Sequence, residues 1–212
     1  MTLQGITGAS VYKRIHSMCN GANLAYTKQA FEEVNGFKGI DNIASGDDML
    51  LMHKIYQRYP EKVLFLKSTE VIVQTAPMQT LKDFFNQRIR WASKADKYDD
   101  KRIFGVLLLV YLFNVLLVLL PVVALLKNYQ LFPKVSGCAT IIQLSILQLW
   151  LLLLSAKTII EIIFLLPVAK FFSRQHLLWW FPIAQPFHVC YTVIAGWLGK
   201  FGSYQWKERK VK

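Results

Sequence analysis

The chain has 212 residues, a formal net charge of +12 and 54% hydrophobic residues, with a mean hydropathy of +0.31. That apolar content exceeds what an average soluble domain carries, and its source is the C-terminal half. The charge does not point to nucleic acid: many basic residues flank apolar segments, where anionic lipid and the positive-inside tendency account for them, and no helix-turn-helix, zinc-finger or RNA-binding signature occurs.

Cys19, Cys138 and Cys190 show neither metal-ligand spacing nor a disulfide framework. Met1-Thr-Leu-Gln-Gly5 lacks a charged region followed by an apolar core, so no signal peptide is expected. Residues 1–15 are weakly patterned, and Gly5 and Gly8 count against a helix there. In Cys19-Asn-Gly-Ala-Asn-Leu-Ala-Tyr26 the small residues Gly21 and Ala22 suggest backbone passing close to something, while Asn20 and Asn23 read as turn chemistry. Thr27 can cap a helix from Lys28 to Val34, which Asn35-Gly36 ends with a residue able to take positive φ.

A second helix is expected from a Ser45 cap to about Tyr59, before Pro60, with His53 on its flank. Asp47 and Asp48 fall in its first turn, where the helix dipole favours negative charge, and that alone explains them. The alternative is that one carboxylate projects into a cleft as a general base. Val63–Lys67 and Glu70–Thr75 read as short strands. A third helix is expected from a Thr80 cap to about Ala95. On it Gln87, Arg90 and Trp91 stand at i, i+3 and i+4, within an arc of about 100°. A guanidinium fork can bind phosphate oxygens and an indole can stack on a sugar face. An interfacial helix, with arginines on headgroups and Trp91 anchoring, satisfies the same pattern.

Beyond the charged run Lys94–Arg102 the pattern is that of a membrane protein. Phe104–Leu126 is an uncharged run long enough to span, Cys138–Ala156 is a second, and Leu177–Leu198 is a third, broken by Pro182 and Pro186. Lys157–Phe172, with Glu161, either extends the second helix or lies in the interface. The spans as drawn carry no central charge, which leaves little support for a transporter or channel. Three crossings would separate two basic segments, Arg88–Arg102 and Lys200–Lys212, that both favour the cytoplasm.

Taken together, Cys-Asn-Gly-Ala-Asn-Leu-Ala-Tyr, Gly-Asp-Asp-Met-Leu-Leu and Gln-Arg-Ile-Arg-Trp, in that order and ahead of membrane helices, resemble the membrane-bound branch of glycosyltransferase family 2, the broad group of cellulose and hyaluronan synthases. The resemblance implies an α/β chain: the C-terminal, acceptor-side half of a GT-A domain over residues 1–100, then a mostly α-helical region over 101–212 with two to three transmembrane helices. It implies inverting sugar transfer from a nucleotide-sugar donor to a cell-envelope polysaccharide or a lipid-linked acceptor. Asp48 would be the catalytic base, with Asp47 beside it. Gln87 and Arg90 would hold the donor diphosphate, and Trp91, Gly21, Ala22 and Asn23 would line the acceptor side.

The family's nucleotide-binding half has no counterpart here, and no Asp-x-Asp occurs anywhere in the sequence. The complete enzyme would use Mg²⁺ or Mn²⁺ on that motif. This chain is therefore expected to need the missing N-terminal half in cis or in trans, and to be inactive alone. The expected location is the bacterial inner membrane, catalytic part cytoplasmic. The alternative is a non-catalytic membrane remnant or scaffold partnering another synthase.

Overall fold

The computed structural model describes residues 2–15, 18–41, 46–94, 101–127, 145–206 and 209–211. Seven α-helices dominate them: α1 (Thr2–Tyr12), α2 (Lys28–Glu33), α3 (Asp47–Arg58), α4 (Leu81–Ala92), α5 (Lys101–Lys127), α6 (Ile146–Phe171) and α7 (Phe181–Phe201). Two 3₁₀ turns, Gly21–Asn23 and Gln175–Trp180, precede α2 and α7. Two three-residue strands, β1 (Tyr204–Trp206) and β2 (Arg209–Val211), pair antiparallel with Tyr204 opposite Val211.

Local chemistry sets the helix ends. Thr27 accepts from the Ala30 amide at 3.1 Å, and Asn35 and Gly36 take φ of 56° and 48° behind α2. Thr80 accepts from the Asp83 amide at 3.1 Å and so opens α4. Residue 45, expected to cap α3, lies outside the described residues; the cap position is Gly46, with φ of 95° and no side-chain cap bond. α3 buries Met49, Leu50, Leu51, Met52 and also His53, which faces inward rather than lying on the flank.

The α/β half-domain expected over residues 1–100 does not form. Among the described residues the only sheet is the β1–β2 hairpin, in the tail. Val63–Lys67 and Glu70–Thr75 contain no strand. Leu64 and Leu66 remain 82% and 72% exposed. A strand gains its stability from cross-strand pairs and a covered face, and an isolated pair is marginal in water. These two segments have the composition of strands and no sheet to join.

The N-terminal stretch differs in the other direction, because the glycines that spoke against a helix let α1 approach its neighbours. A Cβ on Gly5 would lie 2.8 Å from Val168 Cγ2 of α6, and one on Gly8 would lie 3.3 Å from the Phe65 ring.

α5 and α6 are long and apolar enough to cross a membrane, and most of their side chains are exposed. Outward leucine, valine and isoleucine of that length suit hydrocarbon rather than water. The third expected span forms the 3₁₀ turn Gln175–Trp180 followed by α7, with Pro182 in its first turn, where a missing amide is harmless. α6 begins at Ile146; residues 138–144 of the second expected span lie outside the described residues.

α6 runs unbroken through Lys157 and Glu161, so the idea of spans without central charge is corrected. Lys157 Nζ lies 2.6 Å from Glu161 Oε1, donates to Gln185 Oε1 at 3.2 Å and sits 3.5 Å from His188 Nδ1. Gln185 Nε2 donates to Glu161 Oε2. These pairings make α6 and α7 antiparallel neighbours. Polar groups in such helices turn inward because hydrocarbon offers them no partner.

α4 lies along α7. Phe84 meets Phe187 and Tyr191, Ile89 shares a buried cluster with Ala195 and Tyr204, and Ala92 meets Gly199. The contacts advance together, so the two helices run in the same direction. A Cβ on Gly199 would lie 2.9 Å from the Ser93 amide nitrogen, which is why this crossing needs a glycine. The apolar region thereby fixes the helix that carries Gln87, Arg90 and Trp91.

Candidate active site

α3 opens with Gly46, Asp47 and Asp48, and the turn Gly21–Asn23 lies against that opening. A Cβ on Gly21 would fall 2.5 Å from Asp48 Oδ2, so only a glycine lets the backbone pass this carboxylate undisturbed. The other oxygen, Oδ1, accepts from the Met49 amide at 2.8 Å, one of the free N–H groups of a helix start. The Gly21 turn is held from both sides. Asn20 Oδ1 accepts from the Ala22 amide at 3.2 Å, and Asn23 Nδ2 donates to the Val71 carbonyl at 2.6 Å. Asn23 is thus a strap to the segment that follows α3.

The C-terminal end of α4 supplies positive charge. Arg90 is half-buried, and burial lowers its pKa against the opposing influence of Tyr204 and Asp48. Lys94, one turn further on, packs its chain against Gly46, with Nζ 3.0 Å from where a Cβ would stand. Burial lowers its pKa and so does Arg90, while Asp48 and Asp47 oppose the shift. Cys19 completes the cluster. Its thiol is pushed up to about 12, chiefly by burial and then by the charges of Asp48 and Asp47.

Gly21 and Asp48 therefore come together, with Ala22 in the same turn and Asp47 next to Asp48 on α3, and Arg90 lies within the electrostatic influence of Asp48. Gln87 is half-buried on α4. Trp91 keeps its helical spacing from Arg90, but its ring is engaged by Arg88, whose guanidinium carbon lies 4.5 Å from the ring centroid.

Sequence reasoning missed Cys19, Gly46, Lys94 and Tyr204. Lys94 was within reach, since it stands four residues after Arg90 on the same helical face. Cys19 lies two residues before Gly21. Tyr204 carries no local signal, because only the packing of the tail on α4 and α7 brings it near Arg90.

The fit to a divalent metal is poor. Lys94 and Arg90 already bring cations to Asp47 and Asp48, and among the described residues no three His, Cys, Asp or Glu side chains form a metal-holding group. What the cluster offers is a carboxylate able to take a proton, beside cations able to hold an anionic leaving group.

The model of the family described as glycosyl transferase family group 2 matches residues 2–198, and the chain belongs to that family. It is a glycosyltransferase-family protein, whose substrates are in general a nucleotide-sugar donor and an acceptor. Neither the curated proteins nor the solved structures contain a match to this chain.

Proposed function

We propose that this chain supplies the acceptor side and membrane anchor of an inverting glycosyltransferase that builds a cell-envelope polysaccharide or glycolipid. The observation that carries the reading is the placement of Asp48 against Gly21 and within the field of Arg90. Asp48, with Asp47 beside it, takes the proton from an acceptor hydroxyl. The acceptor oxygen forms a bond to the anomeric carbon from the side opposite the diphosphate, and the carbon–oxygen bond to the diphosphate breaks. A single displacement of this kind inverts the anomeric centre. Arg90, with Gln87, holds the departing diphosphate, and Lys94 adds a second cation.

Gly21, Ala22 and Asn23 line the acceptor approach, whereas the Trp91 ring is engaged by Arg88. The donor-binding part, with its Asp-x-Asp and its Mg²⁺ or Mn²⁺, is supplied in cis or in trans. The exposed apolar faces of α5 and α6 support a membrane setting, with the α3–α4 cluster on the cytoplasmic side.

The test is incorporation of labelled sugar by membranes carrying this chain, alone and together with the coding region directly upstream, over a panel of nucleotide sugars. Incorporation only by the extended form supports the reading, and the responding donor names the substrate. No incorporation by either form, with no donor-binding part encoded upstream, replaces it with a non-catalytic scaffold.

A further inference from the structure

The Arg88 side chain has no part in the transfer reading, yet its setting is unusual. The guanidinium carbon lies 4.5 Å from the Trp91 ring centroid, 4.8 Å from that of Phe84 and 5.7 Å from that of Tyr191. Nε is buried with no hydrogen-bond partner. Among the described residues no hydrogen bond or ion pair reaches the guanidinium, although it has five N–H donors in a fork. Aromatic faces satisfy the charge but not the donors.

Arg88 also faces away from the catalytic cluster. Two residues along a helix rotate a side chain by about 200°, so Arg88 and Arg90 project to nearly opposite sides of α4. Arg88 points to α7, where it meets Tyr191, the neighbour of Phe187, and where Phe187, Ile194 and Trp197 are exposed. Behind this face Lys157 and Glu161 pair with each other and neutralise their charges. Among the described residues no carboxylate forms an ion pair with Arg88. A soluble anion has little reason to enter an aromatic and aliphatic seam; an anion carried on acyl chains does.

We propose that Arg88, stacked between Trp91, Phe84 and Tyr191, is a binding site for the phosphate of a membrane lipid, whose chains lie along the exposed apolar face of α7. The fork donates to two phosphate oxygens, a geometry lysine cannot reproduce. A bound lipid would brace α4 from the side opposite Asp48.

The experiment uses the full chain purified in neutral detergent, with lipid binding counted by native mass spectrometry. The probes are dioleoyl phosphatidic acid, dioleoylglycerol with the same chains and no phosphate, and inorganic phosphate. The expected result is one phosphatidic acid per chain, with neither of the other probes bound at matched concentration. Arg88→Gln should weaken phosphatidic acid binding about tenfold or more, and Arg88→Lys severalfold, because lysine keeps the charge and loses the fork. Arg174→Gln, an exposed position remote from the seam, should leave binding unchanged.

Equal binding of dioleoylglycerol would overturn the proposal in favour of an apolar groove. Equal binding of inorganic phosphate would make this a solution anion site. Unchanged binding by Arg88→Gln, or an equal loss with Arg174→Gln, would place the phosphate elsewhere or nowhere in particular. Should Arg88→Gln fail to fold, as read by far-UV circular dichroism, the three probes on the unmodified chain together with Arg88→Lys decide. The readout needs no sugar transfer, so it stands or falls separately from the catalytic reading.

Discussion

Gly21 and Asp48 are in van der Waals contact across 27 residues of sequence, with Asp48 Oδ2 2.5 Å from where a Gly21 Cβ would stand. The contacting atom ends a side chain, so Gly21→Ala should swing the carboxylate away rather than unfold the chain. A displacement of about 1 Å in a catalytic group can cost on the order of a hundredfold in rate. In the transfer-competent form, Gly21→Ala should therefore lose most turnover while its far-UV circular dichroism and melting temperature stay close to those of the parent. A melting temperature that falls as steeply as activity would show that the glycine serves the fold instead.

Asp48 and Arg90 should separate kinetically. A base acts in the transition state, so Asp48→Asn should lower kcat by roughly a hundredfold or more and leave donor KM nearly unchanged. Arg90→Ala should raise donor KM, since the diphosphate is held in both ground and transition states. Steady-state kinetics on the transfer-competent form tests both. Near-full turnover by Asp48→Asn would move the base to Asp47.

Cys19 reports on the same carboxylates without any assay of transfer. Its thiol is raised from 9.0 to about 12, first by burial and then by Asp48 and Asp47. A group whose folded pKa is raised stabilises the fold fully below its unfolded value and loses that contribution as pH climbs through the folded value. The window here is pH 9 to about 12. At pH 9 the folded thiol should alkylate at least roughly a hundredfold more slowly than in urea-denatured chain, because the thiolate is the reactive form. Asp48→Asn should speed the native reaction, though only in part, since burial is the larger cause. Peptide-resolved mass spectrometry after timed alkylation gives both rates, and an Asp48→Asn rate equal to that of the parent would remove Asp48 from the neighbourhood of the thiol.

Local signals in the sequence held where one or two residues decide the outcome. Thr27 and Thr80 begin helices because a hydroxyl reaches a free amide, and Asn35-Gly36 ends one because it accepts positive φ. The carboxylates at the start of α3 and the spacing of Gln87, Arg90 and Trp91 were legible in the same way. Features that depend on distant partners were not. The strand-like composition of residues 63–75 says nothing about whether a sheet exists to receive it. Gly5 and Gly8 read as helix breakers until Val168 and Phe65 are seen against them. Whether Lys157 extends the second span stayed open in the sequence because its partners on α7, Gln185 and His188, are 28 and 31 residues away.

That last group yields a prediction about stability. Lys157 is buried, its pair with Glu161 lies in the middle of α6, and Gln185 bonds to both members. Removing one ion strands the other in an apolar helix pair, which typically destabilises by several kcal/mol. Lys157→Met should therefore cost about 3 kcal/mol, the lower end of the range for buried pairs, because Glu161 is partly covered rather than sealed. Replacing Lys157→Met with Glu161→Met and Gln185→Leu removes both charges and the amide that joins them, leaving only His188 of the polar group, and should recover most of that loss, since apolar packing of similar volume substitutes for buried ion pairs at little or no cost. Thermal unfolding of the three proteins in neutral detergent, followed by circular dichroism, gives the comparison. A triple variant as unstable as Lys157→Met would mean that the polar groups are needed as such; a single variant as stable as the parent would mean that α6 and α7 are held together by their apolar contacts alone.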